Sequence, residues 1–563
     1  MGPRVRAPRR PAREGALAGG RRVSAPRPTA VGLGAPQGLR PGSRIMGTET
    51  EFGVLAPGAP GLSPTQLSAA VTTAMVDVAR ELGSRGAGAP WDYVHERPLD
   101  DARGFSMERG AAHESQLTDE GDVLDARQIA LEDGDAWAQL KEDSSILMNL
   151  VLGNGARFYV DHAHPEYSSP ETTNSWDAME WDLAGDRLAA RAAELAGERL
   201  GAEVLLHKNN TDGKGQSYGT HENYLVPRSV PFQELVSGLL PFFVSRQVTC
   251  GAGRVGLGRR GERPGFQISQ RADFFENTVG LETTIRRPIV NTRDEPHADD
   301  ARWRRLHVIP GDANLVPTSA LIRLGSTSLA LRLIEDGLAP QITLADPVED
   351  LARVSQDPSL GAVLVADGGR RLSALDIQEA YLEAAERHYG TQNHAEAAAL
   401  TWWRRAVDAL RAGDDSAQRF VEWQAKQALL EGYRERGGLD WDSPKLALID
   451  LQWADLRTGK GLAAALMARG TVDALASPEA VERAMVTPPQ DTRAWTRGKS
   501  ITRFPEAVVA ANWDSLSLAL ECLPQVQRVG LPDPWAATAS QTDGLFDDGA
   551  RVQELIKSLR GLA

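Results

Sequence analysis

Apolar and polar residues alternate with a period of two along Arg157-Phe158-Tyr159-Val160-Asp161. Successive side chains of a β-strand point to opposite faces. The pattern therefore predicts a strand with Phe158 and Val160 on a core face and Arg157, Tyr159 and Asp161 together on the other. Three such groups side by side are an expensive way to fill space, because buried charge is costly unless it is paired or bound to something. The strand is predicted to stop at His162-Ala163-His164-Pro165, with Glu166 in the turn that follows. A second strand, Arg44 to Val54, repeats the logic: Glu49 and Glu51 share one face, and Phe52 and Val54 share the other.

The pattern then changes period. Ser63 followed by Pro64 is an N-cap with proline at the first helical position, and the apolar spacing to about Leu82 predicts a helix. Asp182 to Leu200 reads as a second helix, with Ala184, Leu188, Ala192 and Leu195 on one side. Ala202 to His207, Gly219 to Leu225 and Leu306 to Pro310 read as strands, and 266–292 as strand-rich. Helices dominate from about Thr318 to Gly437. Between Asp100 and Asp143 acids are dense and apolar anchors few, which predicts a flexible insertion, either a lid or plain disorder. Pro488-Pro489 marks a boundary, beyond which two strands around Trp513 and a final helix ending near Leu559 form a small C-terminal domain at 488–563. The main domain is expected at 44–487, after a disordered Arg/Pro/Gly-rich tail at 1–43. This is an α+β architecture: a sheet with a polar concave face, backed by helices.

Composition narrows the class. The 563 residues are 42% hydrophobic and 25% charged, as in ordinary globular proteins. The net charge of -14 argues against general nucleic-acid binding, which needs basic surface. Two cysteines, Cys250 and Cys522, cannot make a disulfide framework and fit a reducing cytoplasm. No apolar run approaches the roughly 20 residues that span a bilayer, so no membrane partner is expected.

Glu49, Glu51, Tyr159, Glu166 and His221 form a candidate metal set. Adjacent carboxylates repel unless a cation sits between them, and a hard ion such as Mg2+ prefers oxygen ligands. Arg157 offers a fork for phosphate, and Asp161 is the candidate base or nucleophile. Each has a plainer reading taken singly: a solvated carboxylate, a structural histidine, an Asp161–Arg157 pair. The Gly213-Lys214-Gly215 loop lacks the spacing of a P-loop. Arg286, Arg287 and Arg293 suit phosphate, a substrate carboxylate or structural ion pairs.

At these residues the sequence resembles the Pup ligase and Pup deamidase/depupylase family. The resemblance rests on Gly47 to Gly53, Asn154 to Tyr167, Lys208-Asn209-Asn210, Ser217 to Tyr224, Asn291 to Asp299 and Arg304 to Ile309. It implies a fold similar to glutamine synthetase and the carboxylate-amine ligases, with an antiparallel sheet. Trp91-Asp92-Tyr93, Pro98 to Phe105, the acidic insertion and Asp161 to Tyr167 resemble the deamidase branch. Thr50 and Phe52 are closer to the ligase form, and the alternative is a ligase that joins Pup to lysine with ATP. A non-catalytic Pup-binding protein is a third reading, against which Glu49, Asp161 and Glu166 are all present.

The resemblance implies that Glu49, Tyr159 and Glu166 hold Mg2+, that Arg157, Ser169 and Trp513 contact ATP, and that Asp161 is catalytic. It implies Pup and pupylated proteins as partners, with the C-terminal domain forming part of the Pup groove. The implied reaction is hydrolysis of the side-chain amide of Pup's C-terminal glutamine, and of the isopeptide bond between Pup and lysine. ATP would be a bound cofactor. A cytoplasmic location is expected; the sequence leaves the oligomeric state open, with a monomer favoured.

Overall fold

The computed structural model describes residues 43–84, 88–93, 96–113, 116–117, 149–390, 393–520 and 526–562. Six strands form its main sheet: β1 (Met46–Glu51), β2 (Asn149–Val151), β3 (Arg157–Asp161), β4 (His164–Ser168), β5 (Thr220–Pro227) and β6 (Trp303–Val308). Their order is β6-β5-β1-β4-β3-β2, and every neighbouring pair is antiparallel. The α+β class with an antiparallel sheet is as the sequence implied.

Glu166 is not in a turn. It lies inside β4, because the reversal needs only His162 and Ala163, with Asp161 paired to His164. Pro165 is tolerated within the strand: it has no N–H to give, but its carbonyl accepts from the Phe52 N–H at 2.9 Å. β1 ends at Glu51, and the next residues, Gly53–Leu55, pair instead with Leu205–His207.

Helices α1 (Pro64–Glu81), α2 (Ser175–Leu200), α3 (Phe232–Cys250) and α4 (Pro317–Glu335) include those that back the sheet. Ser63 caps α1 in a capping box with Gln66. α2 begins at Ser175 rather than Asp182, because the Asn174 side chain accepts from the Asp177 N–H. The back of the sheet is apolar where α1 and α2 cross it: Phe52, Phe158 and Tyr167 bury against Val71, Met75, Leu188 and Ala192. Several polar groups there pair with one another. The hydroxyls of Thr48 and Thr50 donate to Asp182 Oδ1 at 3.0 and 3.1 Å. Buried Lys208 donates to Asp182 at 2.8 Å and to Asp186 at 2.9 Å.

The approach of α2 to the sheet depends on Gly185, where an added Cβ would stand 2.2 Å from Tyr167 Cδ1. Gly185→Ala is expected to cost about 1–3 kcal/mol, as overpacked cores do. Urea unfolding would read the cost as a lowered midpoint. An unchanged midpoint would mean that Tyr167 yields freely.

Beyond Gln490 the chain forms α5 (Ala494–Arg503), a three-stranded antiparallel sheet of β7 (Val508–Asn512), β8 (Ser515–Leu518) and β9 (Gln527–Gly530), and α6 (Val552–Leu562). Only two of these strands were legible. Their apolar cluster also takes in Ala89, Trp91 and Val151. Arg497 of α5 is a node: its guanidinium donates to Glu171, to the Gly155 carbonyl at 2.8 Å and to the Trp513 carbonyl at 2.9 Å.

The start of the acidic segment is a small hairpin. Buried Asp101 accepts from Arg103 at 2.7 Å and from Thr292 at 2.6 Å. Of 114–148, only Gln116 and Leu117 are among the described residues, so most of the predicted insertion, like the tail and Cys522, lies outside them. Cys250 is buried, and burial pushes its thiol up to about 12. No described helix is long and apolar enough to cross a membrane.

Candidate active site

The register of the sheet assembles one polar face. Arg157, Tyr159 and Asp161 of β3 stand opposite Ser168, Glu166 and His164 of β4. Ser168 and Glu166 stand opposite Glu49 and Glu51 of β1, Glu49 opposite His221 of β5, and Asn223 opposite His307 of β6. Side-chain alternation puts all of them on the side away from α1 and α2. Most of them line a cleft, together with Glu295, His297 and Trp513; Glu51, His164 and Asn223 stand just behind that lining.

Two groups of metal-ligating atoms emerge, each with its ligand atoms within 4.8 Å of one another: Glu51, Asp161 and Glu166; and Glu49, His221 and His307. The predicted metal set is thus divided between them, and His307 and Asp161 join. In the first group burial raises the Glu166 carboxyl well above the usual range, and the charges of Asp161, Glu49 and Glu51 raise it further. Tyr159 Oη donates to it at 2.5 Å. Burial, then the Glu166 charge, keeps that phenol protonated. Burial also pushes Glu51 upward, but His164 at 3.3 Å and the Gly219 N–H at 2.6 Å outweigh it and bring the carboxyl down to about 2.

In the second group, Glu49 accepts from Asn223 Nδ2 at 2.8 Å and lies 3.2 Å from His221 Nδ1. Burial opposes its charge, yet the His221 bond and the charges around it hold it well below the usual range. His307 Nδ1 lies 3.0 Å from Asn223 Oδ1. An amide oxygen only accepts, so Nδ1 carries the proton and Nε2 is left with its lone pair. Burial holds His307 neutral.

Crowded carboxylates, one of them driven to hold a proton, are a donor set whose mutual repulsion a cation relieves. The oxygen-rich group of Glu51, Asp161 and Glu166 fits a hard divalent cation, and the mixed group fits a second cation that accepts nitrogen. Asp161 stands at the mouth, its side chain 22% exposed, with His162 Nδ1 at 3.0 Å from Oδ2. Among the described residues it forms no ion pair with Arg157.

Arg157 marks the other end of the cleft. Its guanidinium lies 4.1 Å from the ring centre of Trp91 and 3.9 Å from that of Tyr159, and Nε donates to Asn149 at 3.0 Å. Among the described residues no carboxylate pairs with it. A half-buried guanidinium held between two rings fits a phosphate. Trp513 stands edge-on to Trp91 at 5.1 Å and lines both this cleft and an adjoining recess floored by β1. Ser169 borders that recess, but its Oγ accepts from the Thr48 N–H at 2.9 Å, whereas Ser168 faces the cleft itself. The Gly213 loop lines a different groove, beside Arg254 and Trp441. Of the three arginines, Arg293 reaches the cleft, paired with Glu295 at 3.1 Å, while Arg287 donates to the Ser217 and Thr283 carbonyls.

The residues missed in the sequence were His307, Asn223 and Arg305. Their signal was present: Arg305-Leu306-His307-Val308 alternates like Arg157 to Asp161.

Comparison with known proteins matches residues 44–517 to the family described as Pup-ligase protein. A depupylase of Acidothermus cellulolyticus is 45% identical, over 92% of this chain and 99% of its own. The Pup deamidase/depupylase of Mycolicibacterium smegmatis is 42% identical, with the same coverage. A Pup–protein ligase of Acidimicrobium ferrooxidans is 41% identical over 71% of this chain. Two solved structures of the ligase PafA are similar in fold. One is its complex with the prokaryotic ubiquitin-like protein Pup (TM-score 0.70, 31% identity, 93% of this chain and 95% of that one). The other is its complex with ADP (TM-score 0.65, 34% identity, 81% and 97%).

Proposed function

The chain belongs to the Pup-ligase protein family, and from that membership we propose that it is a Pup deamidase and depupylase. It hydrolyses the side-chain amide of Pup's C-terminal glutamine to glutamate and cleaves the isopeptide bond between Pup and a target lysine. One observation carries the choice of branch: the sequence similarity to hydrolases spans 99% of their length and 92% of this chain at up to 45% identity, whereas that to the Acidimicrobium ferrooxidans ligase spans 71% of this chain at 41%.

Both bonds are carboxamides, so one site serves both. Asp161, at the mouth of the cleft, is the group that acts on the carbonyl, by taking a proton from water or by attacking directly. Its exposure gives a substrate access that the buried Glu51 and Glu166 lack. Glu166 and Glu51, with Tyr159 bonded to Glu166, would hold one Mg2+, and Glu49 with His221 and His307 would hold a second cation. The ion would supply positive charge for the oxyanion that develops on the carbonyl. Arg157 and Trp513 would contact the nucleotide, with Ser168 or Ser169 beside them, a reading supported by the ADP complex of PafA. Amide hydrolysis runs downhill, so the nucleotide is a bound cofactor rather than a fuel.

The test is incubation with glutamine-terminated Pup, Mg2+ and ATP, followed by mass spectrometry. Conversion of the amide to the acid over many turnovers, without matching ATP consumption, is expected. Conjugation of glutamate-terminated Pup to lysines, with no deamidation, would instead make the chain a ligase.

A further inference from the structure

His162 has a backbone φ of +54°. In this left-handed region non-glycine residues are uncommon, and histidine is one of the few side chains that enter it more readily. It is the first of the two residues that turn β3 into β4. Such a conformation persists where its surroundings fix it, and it is a pointer to function. Here they do fix it. Ser68 of α1 donates to the Ala163 carbonyl at 2.8 Å. His164, the next residue, stacks on Tyr218 with ring centres 4.4 Å apart. A glycine would satisfy this turn with less strain. What histidine adds is an imidazole whose Nδ1 lies 3.0 Å from Asp161 Oδ2, in the wall of the cleft.

We infer that His162 is a positioning residue, whose Nδ1–H holds one oxygen of Asp161 so that the other faces the substrate carbonyl. The inference rests on the reading of Asp161 given above. Asp161 needs such a restraint, because the carboxylates of Glu51 and Glu166 share its cluster. The charge of Glu51 favours rotamers that swing Asp161 toward water. A donor on the turn itself opposes that swing without placing another charge among the buried acids. The left-handed backbone is what brings the imidazole back over the preceding residue.

Two substitutions separate the turn from the bond. His162→Gly relaxes the backbone and removes the donor. His162→Asn also accepts left-handed backbone, and its Nδ2 occupies the place of the imidazole Nδ1, one bond beyond Cγ. If His162 positions Asp161, the Gly variant has an undiminished Tm, roughly tenfold lower kcat for Pup deamidation and an unchanged KM, the pattern of a misplaced reacting group. The Asn variant recovers most of that kcat. A Gly variant with full kcat overturns the inference, as does an Asn variant no better than Gly. If the Gly variant does not fold, His162→Ala against His162→Asn gives the same contrast. An inactive wild-type protein would overturn the functional reading and this inference with it. An active wild type beside a fully active Gly variant overturns the inference alone.

Discussion

Asp161→Asn is expected to lower Pup deamidation by about a thousandfold or more, the upper range for loss of a general base or nucleophile. The substitution keeps the shape of the side chain, and its amide oxygen still accepts from His162. It removes the negative charge and the basic lone pair. Nucleotide binding should survive, because Arg157 and Trp513 lie at the other end of the face and do not depend on Asp161 for a partner. Mass spectrometry of Pup would follow the reaction, and fluorescent nucleotide titration would follow binding. A variant with more than about a tenth of wild-type activity would remove Asp161 from the chemistry, since that residue loss is smaller than general-base catalysis contributes.

Arg497→Ala is expected to cost about 3–5 kcal/mol of stability, because it strips a buried ion pair of one partner. Arg493, at 2.7 Å from Glu171, remains and favours the lower end. Burial alone would raise the Glu171 carboxyl, but Arg497 and then Arg493 bring it from 4.5 down to about 2. A carboxyl lowered on folding stabilises the native state above its unfolded pKa, and this contribution is lost as pH falls from about 4.5 toward 2. The wild type should therefore lose stability across that window, and Arg497→Ala should lose less, having less of the contribution to begin with. Urea midpoints at pH 6 and pH 3 would measure both slopes. Parallel slopes would refute the assignment. Nucleotide affinity should weaken as well, since Arg497 holds the Trp513 carbonyl and stands 5.0 Å from its ring.

Much of the polar face was legible because a strand's period of two is visible wherever charge and grease alternate. Arg157 to Asp161 and Glu49 to Glu51 announced themselves this way. Pro165 reads as a strand terminator, which predicts Glu166 in a turn. The partner that tolerates it, the Phe52 N–H, lies in another segment. His307 followed the same alternation, but a single histidine between apolar residues carries no chemistry until Asn223 and Glu49 are brought beside it. The third strand of the C-terminal sheet, Gln527–Gly530, is too short and polar to show a period. The Arg497–Glu171 node joins residues 326 apart in sequence, and no local pattern encodes such a meeting.

The strand order itself has a consequence. β1 lies between β4 and β5, so Glu49 meets His221, 172 residues away, and Thr48 meets Ser169, 121 residues away. Such contact order delays assembly, because long loops must close before any of these pairings contributes. The catalytic row is therefore all or none: a nascent or clipped chain that lacks either flank of β1 holds no half-built centre with residual hydrolytic power.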